Sequence, residues 1–209
     1  MVAVAPLFMI TPALRLTLQE WANLDDDEPG EFVDGLLVEE ELPSILHESV
    51  VGWLMVELGG WARPRRGWVF GSELKLGISA RRGRKPDVSM YLPGAKLRGR
   101  DSLSTIPPDV VIEVASPHPR DVRRDRVEKV REYASFGVRF YWLINPDART
   151  LEILELGASG HYTIVVTAAA GKVAVPGCEG LVLDLDQLWS EADRLLPEDE
   201  PSGDKETFA

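Results

Sequence analysis

Asp109-Val110-Val111-Ile112-Glu113-Val114-Ala115-Ser116-Pro117 is the stretch on which the fold turns. Its almost unbroken β-branched run has the composition of a strand buried on both faces. Ser116-Pro117 ends it, because proline has no N–H to give to a ladder. Glu113 stands inside this apolar run, where an ionised carboxylate is costly unless it is paired, hydrogen-bonded or bound to a cation. Something elsewhere in the chain must compensate it.

Upstream, Lys85-Pro86-Asp87-Val88 opens a second strand-like segment, Asp87 to Leu92. If the two strands pair, Asp87 and Glu113 converge at one sheet edge although about 26 residues separate them. Like charges so placed raise one pKa unless a cation neutralises them. Hard oxygen donors favour Mg2+ or Mn2+ over zinc.

Downstream, Asp121 to Phe136 reads as a helix with Val122, Val127, Val130 and Ala134 on one arc and Arg124, Glu128 and Arg131 away from it. Gly137 stops it. Asp125, Lys129 and Tyr133 are successive i, i+4 neighbours in a strip beside the apolar arc, so Lys129 is placed to reach Glu113. The bland alternative is a simple Asp125–Lys129 helix pair, with Glu113 satisfied by an arginine. A strand then runs over Phe140-Tyr141-Trp142-Leu143-Ile144, and the strand-helix-strand crossover requires parallel pairing. Tyr141 and Trp142 read as core.

Working outward, Ser44 caps a long, largely buried helix to about Trp61, carrying Ile45, Val50, Val51, Leu54 and Leu58 at helical spacing. Trp68 to Ile78 and Asp87 to Leu92 read as a hairpin about the basic turn Ala80-Arg81-Arg82-Gly83-Arg84. Thr17-Leu18-Gln19-Glu20 has the form of a capping box and predicts a short helix to Leu24. Asp34-Gly35 between Glu31-Phe32-Val33 and Leu36-Leu37-Val38 predicts another hairpin. Three shorter strands follow at Leu151 to Leu156, Tyr162 to Thr167 and Lys172 to Val175, and a last helix starts near Asp184. The expected class is α/β, more fully mixed α+β: an αβββαβ core with a mixed central sheet flanked by helices, an N-terminal hairpin and C-terminal strands.

The chain has 209 residues with 44% hydrophobic content, enough for one domain over 1–195. The acidic, apolar-poor residues 196–209 are expected to be a disordered tail. Met1 to Ile10 is apolar but too short to span a bilayer and lacks a basic flank, so a loose arm or edge strand is expected and no membrane role. The single Cys178 permits no intrachain disulfide, His47, His118 and His161 show no zinc-like spacing, and a cytoplasmic protein is expected. The net charge of -11 argues at first against nucleic acid. The charge is segregated, however, with about 17 of the 23 basic residues between Arg63 and Arg131 and acids crowding Glu20 to Glu41 and the tail. No nucleophile elbow, phosphate-binding Gly-Lys-Ser/Thr loop or dinucleotide glycine motif is present, which removes serine hydrolases, P-loop NTPases and Rossmann enzymes from consideration.

The ordered set Glu31-Phe32-Val33-Asp34-Gly35, His47 at the head of the long helix, Pro86-Asp87-Val88, Glu113-Val114-Ala115-Ser116-Pro117, Asp125 with Lys129 and Tyr133, and Gly137-Val138 before Tyr141-Trp142-Leu143-Ile144 resembles the Uma2 (DUF820) family of restriction endonucleases. That family lies within the PD-(D/E)XK nuclease superfamily, and the resemblance runs from about Thr17 to Leu188. It implies a restriction-endonuclease-like fold and hydrolysis of phosphodiester bonds in DNA. Asp87 and Glu113 would ligate Mg2+ or Mn2+ with a backbone carbonyl near Val114, and Lys129 would orient the nucleophile and stabilise transition-state charge. The superfamily pattern puts the lysine two residues after the glutamate. Here that residue is Ala115, so Lys129 must serve from the helix.

Supporting candidates are His47, Glu73, Lys75, Asp125 and Tyr133. Lys75 shares a strand face with Glu73 and is the rival catalytic lysine. Arg81, Arg82, Arg84 and Arg123 are the candidate nucleic-acid contacts. A homodimer is expected, since two symmetric sites most simply cut both strands of a duplex. The alternative is a nuclease-fold nucleic-acid-binding protein impaired in catalysis, for which Ala115 is the motive.

Overall fold

The computed structural model describes residues 15–24, 30–38, 42–115 and 124–195. The expectations for Met1 to Ile10, for the acidic tail, for Ser116-Pro117 and for Arg123 lie outside them.

Thr17 begins α1 (Leu18–Ala22) with the full capping box: its hydroxyl accepts from the Glu20 N–H while the Glu20 carboxylate accepts from the Thr17 N–H at 2.7 Å. Asp34 and Gly35, at φ of 54° and 87°, then make the turn between β1 (Glu31–Val33) and β2 (Leu36–Val38). Both residues lie in the left-handed region, as the favoured two-residue hairpin turn requires.

Ser44 caps α2 (Ile45–Ala62) by accepting from the His47 N–H at 3.1 Å. Only one face of α2 is buried, through Val50, Leu54, Leu58 and Ala62, while Ile45 and Val56 are exposed; the helix lies against a sheet instead of inside the protein. A 3-10 turn at Arg63–Arg65 follows, and then β3 (Trp68–Phe70).

Here the structure corrects the expected second hairpin. Trp68 to Ile78 is not one strand, because the chain turns at Gly71 to Lys75 and changes sheets. Strand β4 (Leu76–Ser79) pairs with β5 (Arg82–Arg84), and β5 pairs with β1, giving a small sheet in the order β2-β1-β5-β4. Strand β3 instead pairs antiparallel with β6 (Val88–Tyr91) in the main sheet. Gly83 is required where the sheets meet α1: a Cβ there would lie 2.3 Å from the Trp21 ring.

The main sheet has the order β10-β9-β8-β7-β6-β3. Strand β7 (Val110–Val114) is central and buried along its whole length, as its composition predicts. It runs antiparallel to β6 and parallel to β8 (Phe140–Asn145). Between β7 and β8 the chain forms a π-helical segment, Arg124–Lys129, that passes into α3 (Val130–Phe136). Gly137, at φ 95°, ends α3. Strands β9 (Thr150–Leu156) and β10 (Tyr162–Ala168) extend the sheet. A hairpin of β11 (Lys172–Ala174) and β12 (Val182–Asp184) then leads into α4 (Leu185–Asp193), capped by Asp184. The mixed sheet flanked by helices is as expected, with α2-β3-β6-β7-α3-β8 as its αβββαβ core.

Alternation along β7 divides the interior. Val110, Ile112 and Val114 join the large core with α2 and α4, whereas Val111 faces Tyr133, Tyr141 and Leu143 in a second core under α3. Glu113 points to that second side.

Candidate active site

The register Val88↔Ile112 sets Asp87, one step before β6, beside Glu113 at the end of β7. Asp87 Oδ2 accepts the Val114 N–H at 2.7 Å, which fixes the carboxylate at the end of the ladder. His47 Nε2 lies 3.3 Å from the same oxygen, so the first turn of α2 supports Asp87 from the other side. Burial pulls the His47 imidazole down, but the hydrogen bond and charge of Asp87, with Glu48, outweigh it and leave the pKa above the ordinary histidine value.

Glu113 is 3% exposed and both its oxygens are engaged. Lys129 Nζ donates to Oε2 at 2.9 Å and the Tyr133 hydroxyl donates to Oε1 at 2.6 Å. Asp125 Oδ1 lies 3.5 Å from Lys129 Nζ. The strip Asp125, Lys129, Tyr133 is therefore brought together on Glu113, and it is the buried face of its helix. Of the expected apolar arc, Val130 packs against the second core but Val127 is 42% exposed, because the carboxylates under this helix take the facing positions.

A fourth carboxylate completes the cluster, one that sequence reasoning quoted without giving it a role. Glu31, fully buried at the start of β1, lies with Oε1 3.5 Å from Lys129 Nζ. It accepts Arg84 Nη1 at 2.5 Å and the Lys85 N–H at 3.2 Å. Arg84 Nε also donates to Glu132 Oε2 at 2.6 Å, and Arg82 Nε to Glu132 Oε1 at 2.9 Å. The small sheet is thus bolted to α3 through buried charge. The available signal was Arg82-Gly83-Arg84, since alternation puts both guanidinium groups on one face of a strand.

Burial and the neighbouring carboxylates Asp125, Asp87 and Glu31 push the Glu113 pKa well above the ordinary range, against the opposing charge of Lys129. Asp125 is raised by burial and by Asp87 and Glu31, against Lys129 and Arg124. For Glu31 burial acts the same way, but Lys129, Arg84 and Arg124 outweigh it and the net shift is downward. Burial first, then Glu113, holds the Tyr133 hydroxyl protonated and donating.

Other candidates do not join it. Glu73 sits in a turn, not on a strand, and pairs at the surface with Lys85 at 2.7 Å. Lys75 Nζ donates to the carbonyls of Trp21, Ala22 and Leu24 at 3.1–3.3 Å, at the end of α1, and so does not compete with Lys129 for Glu113. Arg84 is corrected as a nucleic-acid contact: it is 1% exposed and neutralised by Glu31 and Glu132, so no phosphate can reach it. Arg82 is shared between Asp34 and Glu132, and Arg81, though exposed, pairs with Asp34 at 2.9 Å.

A family model described as "Putative restriction endonuclease", Uma2, matches residues 16–186. The chain belongs to the Uma2 family. Every part of the carboxylate cluster lies within the matched Uma2 segment, from Glu31 to Tyr133. A crystal structure of a "putative nuclease belonging to DUF820" from Anabaena variabilis is similar to this chain with a TM-score of 0.66 and 21% identity, over 85% of this chain and 99% of that one. At that identity the likeness shows a shared fold. No curated protein matches the chain. Uma2 membership supports a nuclease acting on nucleic acid. Among the described residues no helix is long and apolar enough to cross a membrane.

Proposed function

We propose that this Uma2 protein is a metal-dependent endonuclease that hydrolyses phosphodiester bonds in DNA. The observation that carries this reading is the convergence of Asp87, Glu113 and Lys129 at the end of β7, with Lys129 Nζ 2.9 Å from Glu113 Oε2. The lysine that the superfamily places on the strand is here delivered by the helix, to the same carboxylate.

The donor set fits Mg2+ or Mn2+. Asp87 and Glu113 offer hard oxygens: the Val114 N–H and His47 engage Asp87 Oδ2 and leave Oδ1 for an ion, and each Glu113 oxygen keeps a lone pair beyond its one hydrogen bond. Among the described residues no group of three or more carboxylate, histidine or cysteine side chains is arranged to hold an ion. A two-carboxylate site completed by water and substrate phosphate is the usual manner of Mg2+. A bound cation would offset the mutual repulsion of the Asp87 and Glu113 carboxylates. When bound, such an ion supplies Lewis acidity at a phosphoryl oxygen.

The chain's own groups have separate tasks. His47 and the Val114 N–H hold Asp87 at the sheet end, and Tyr133 fixes the rotamer of Glu113. Lys129, held by Glu113 with Asp125 and Glu31, orients an attacking water and stabilises the charge that develops on phosphorus oxygens. A homodimer would present two such sites to the strands of a duplex.

The test is nicking and linearisation of plasmid DNA in Mg2+ or Mn2+ by the wild type and by Asp87→Asn and Glu113→Gln. Cleavage lost in both variants is expected. A wild type that cuts no DNA, or variants that cut equally well, would sink the reading. Ala115 favours a second reading, a nuclease-fold binding protein without turnover. It predicts salt-sensitive nucleic-acid binding with no cleavage in either metal.

A further inference from the structure

Away from the carboxylate cluster, a groove of about 850 Å3 runs along β3, lined by Met55 and Arg63 of the α2 end, by Arg66, Trp68 and Phe70, and by Pro93 of the loop after β6. Strand β3 is the outer strand of the main sheet. Trp68 is 56% exposed and stacks on Phe70, ring centroids 6.4 Å apart at 14°, while Phe70 packs edge-on to Tyr91 at 5.9 Å. An exposed indole is thus held in place by two further rings.

The charge around this groove is unlike that of the rest of the chain. Residues 59–72 and 92–100 hold Arg63, Arg65, Arg66, Lys96, Arg98 and Arg100 and not one acidic residue, in a protein of net charge -11. Arg65 is held by the carbonyl and ring of Trp61. The other five are exposed and none forms an ion pair among the described residues, in contrast to the neutralised Arg81, Arg82 and Arg84. Unneutralised cations beside a rigid exposed ring are the elements of a single-stranded nucleic-acid site, phosphates on the cations and a base on the ring. A second copy of the chain at the β3 edge is disfavoured, since it would bring the same positive charge to the contact.

We propose that the β3 groove binds unpaired nucleic acid, with a base stacked on Trp68 and the backbone on Arg63 and Arg66. The site is separate from the carboxylate cluster and does not rest on catalysis. It would hold a frayed or single-stranded portion of a substrate, or such a strand alone.

The experiment is fluorescence anisotropy of labelled oligo(dT), oligo(rU) and a blunt duplex, about a dozen nucleotides each, titrated with the full chain in EDTA. EDTA removes hydrolysis, so failure here leaves the metal site untouched. Binding of either single strand in preference to duplex is expected, weakened roughly tenfold or more by Trp68→Ala. Trp68 is more than half exposed, so that variant is expected to fold, which far-UV circular dichroism checks. Arg63→Gln/Arg66→Asn should lower the slope of log affinity against log salt by about 1.4, two released counterions at about 0.7 each for a single strand. Asn suits position 66, where φ is 66°. Absent binding, equal binding by Trp68→Ala, or equal preference for duplex would overturn the site. So would a wild-type dimer in sedimentation that Trp68→Ala dissociates without any oligonucleotide binding.

Discussion

Replacing Lys129 by methionine keeps the stem and removes the charge from the centre of the cluster. The Lys129 side chain is 2% exposed, and its ammonium lies 2.9 Å from Glu113 and 3.5 Å from both Asp125 and Glu31. Removing one partner from a buried ion pair costs about 3–5 kcal/mol. Three carboxylates lose a neighbour here, so a cost toward the upper end is expected. That is a large part of the roughly 5–15 kcal/mol that holds an ordinary domain together. The cost depends on pH with a definite sign. A carboxyl whose folded pKa lies above the ordinary value of about 4.5, as for Glu113, binds its proton more tightly in the folded state. Its ionisation costs nothing below that value and destabilises the fold increasingly as pH rises through the folded pKa. Without Lys129 that pKa rises further. Urea unfolding should therefore show Lys129→Met losing about 3–5 kcal/mol near pH 8 and distinctly less near pH 5. In a Glu113→Gln background the loss should be smaller. A loss under about 1 kcal/mol near pH 8, or the same loss at both pH values, would refute the reasoning.

Arg84→Met should destabilise by about 3 kcal/mol or more because Glu31 is left charged and buried, and Glu31→Gln in the same chain should recover most of it, again by urea unfolding. The Glu31 pKa is depressed, so its stabilising contribution is present above about pH 4.5 and is lost as pH falls through the folded value; Glu31→Gln should flatten the acid limb of a Tm–pH profile. Gly83→Ala should cost about 1–3 kcal/mol by forcing the Trp21 ring aside, seen as a lowered Tm. Lys75→Met should loosen the end of α1, with faster amide exchange at Trp21 to Leu24, and leave plasmid cleavage intact; lost cleavage at unchanged stability would return Lys75 to the site.

Most elements were legible because their signals are local. The β-branched run Val110–Val114, the capping box at Thr17, the Asp34-Gly35 turn and the Gly137 stop each depend on residues within a few positions of one another. The parallel β7–β8 pair followed from the crossover between them. What stayed hidden depends on partners far along the chain. Nothing local in Trp68 to Ile78 reveals that the chain changes sheets after Phe70, because alternation fixes a face but not a neighbour. The same limit explains Arg84, which reads as a surface cation until Glu31 and Glu132 arrive from 53 and 48 positions away, and Arg82, which meets Glu132 from 50. In the helix, the rule that apolar residues face inward chose Val127; the buried carboxylates of β7 and β1 chose Asp125, Lys129 and Tyr133 instead. The reach of Lys129 to Glu113 was readable from i, i+4 spacing, whereas the third support from Glu31 needed the β1–β5 pairing.

The most direct test of a divalent-ion site on Asp87 and Glu113 is titration of the full chain with Mn2+, followed by the loss of the free-ion EPR signal. One ion bound per chain is expected for the wild type, with binding abolished in both Asp87→Asn and Glu113→Gln. A wild type that leaves the free Mn2+ signal unchanged, or variants that take up the ion as the wild type does, would contradict it.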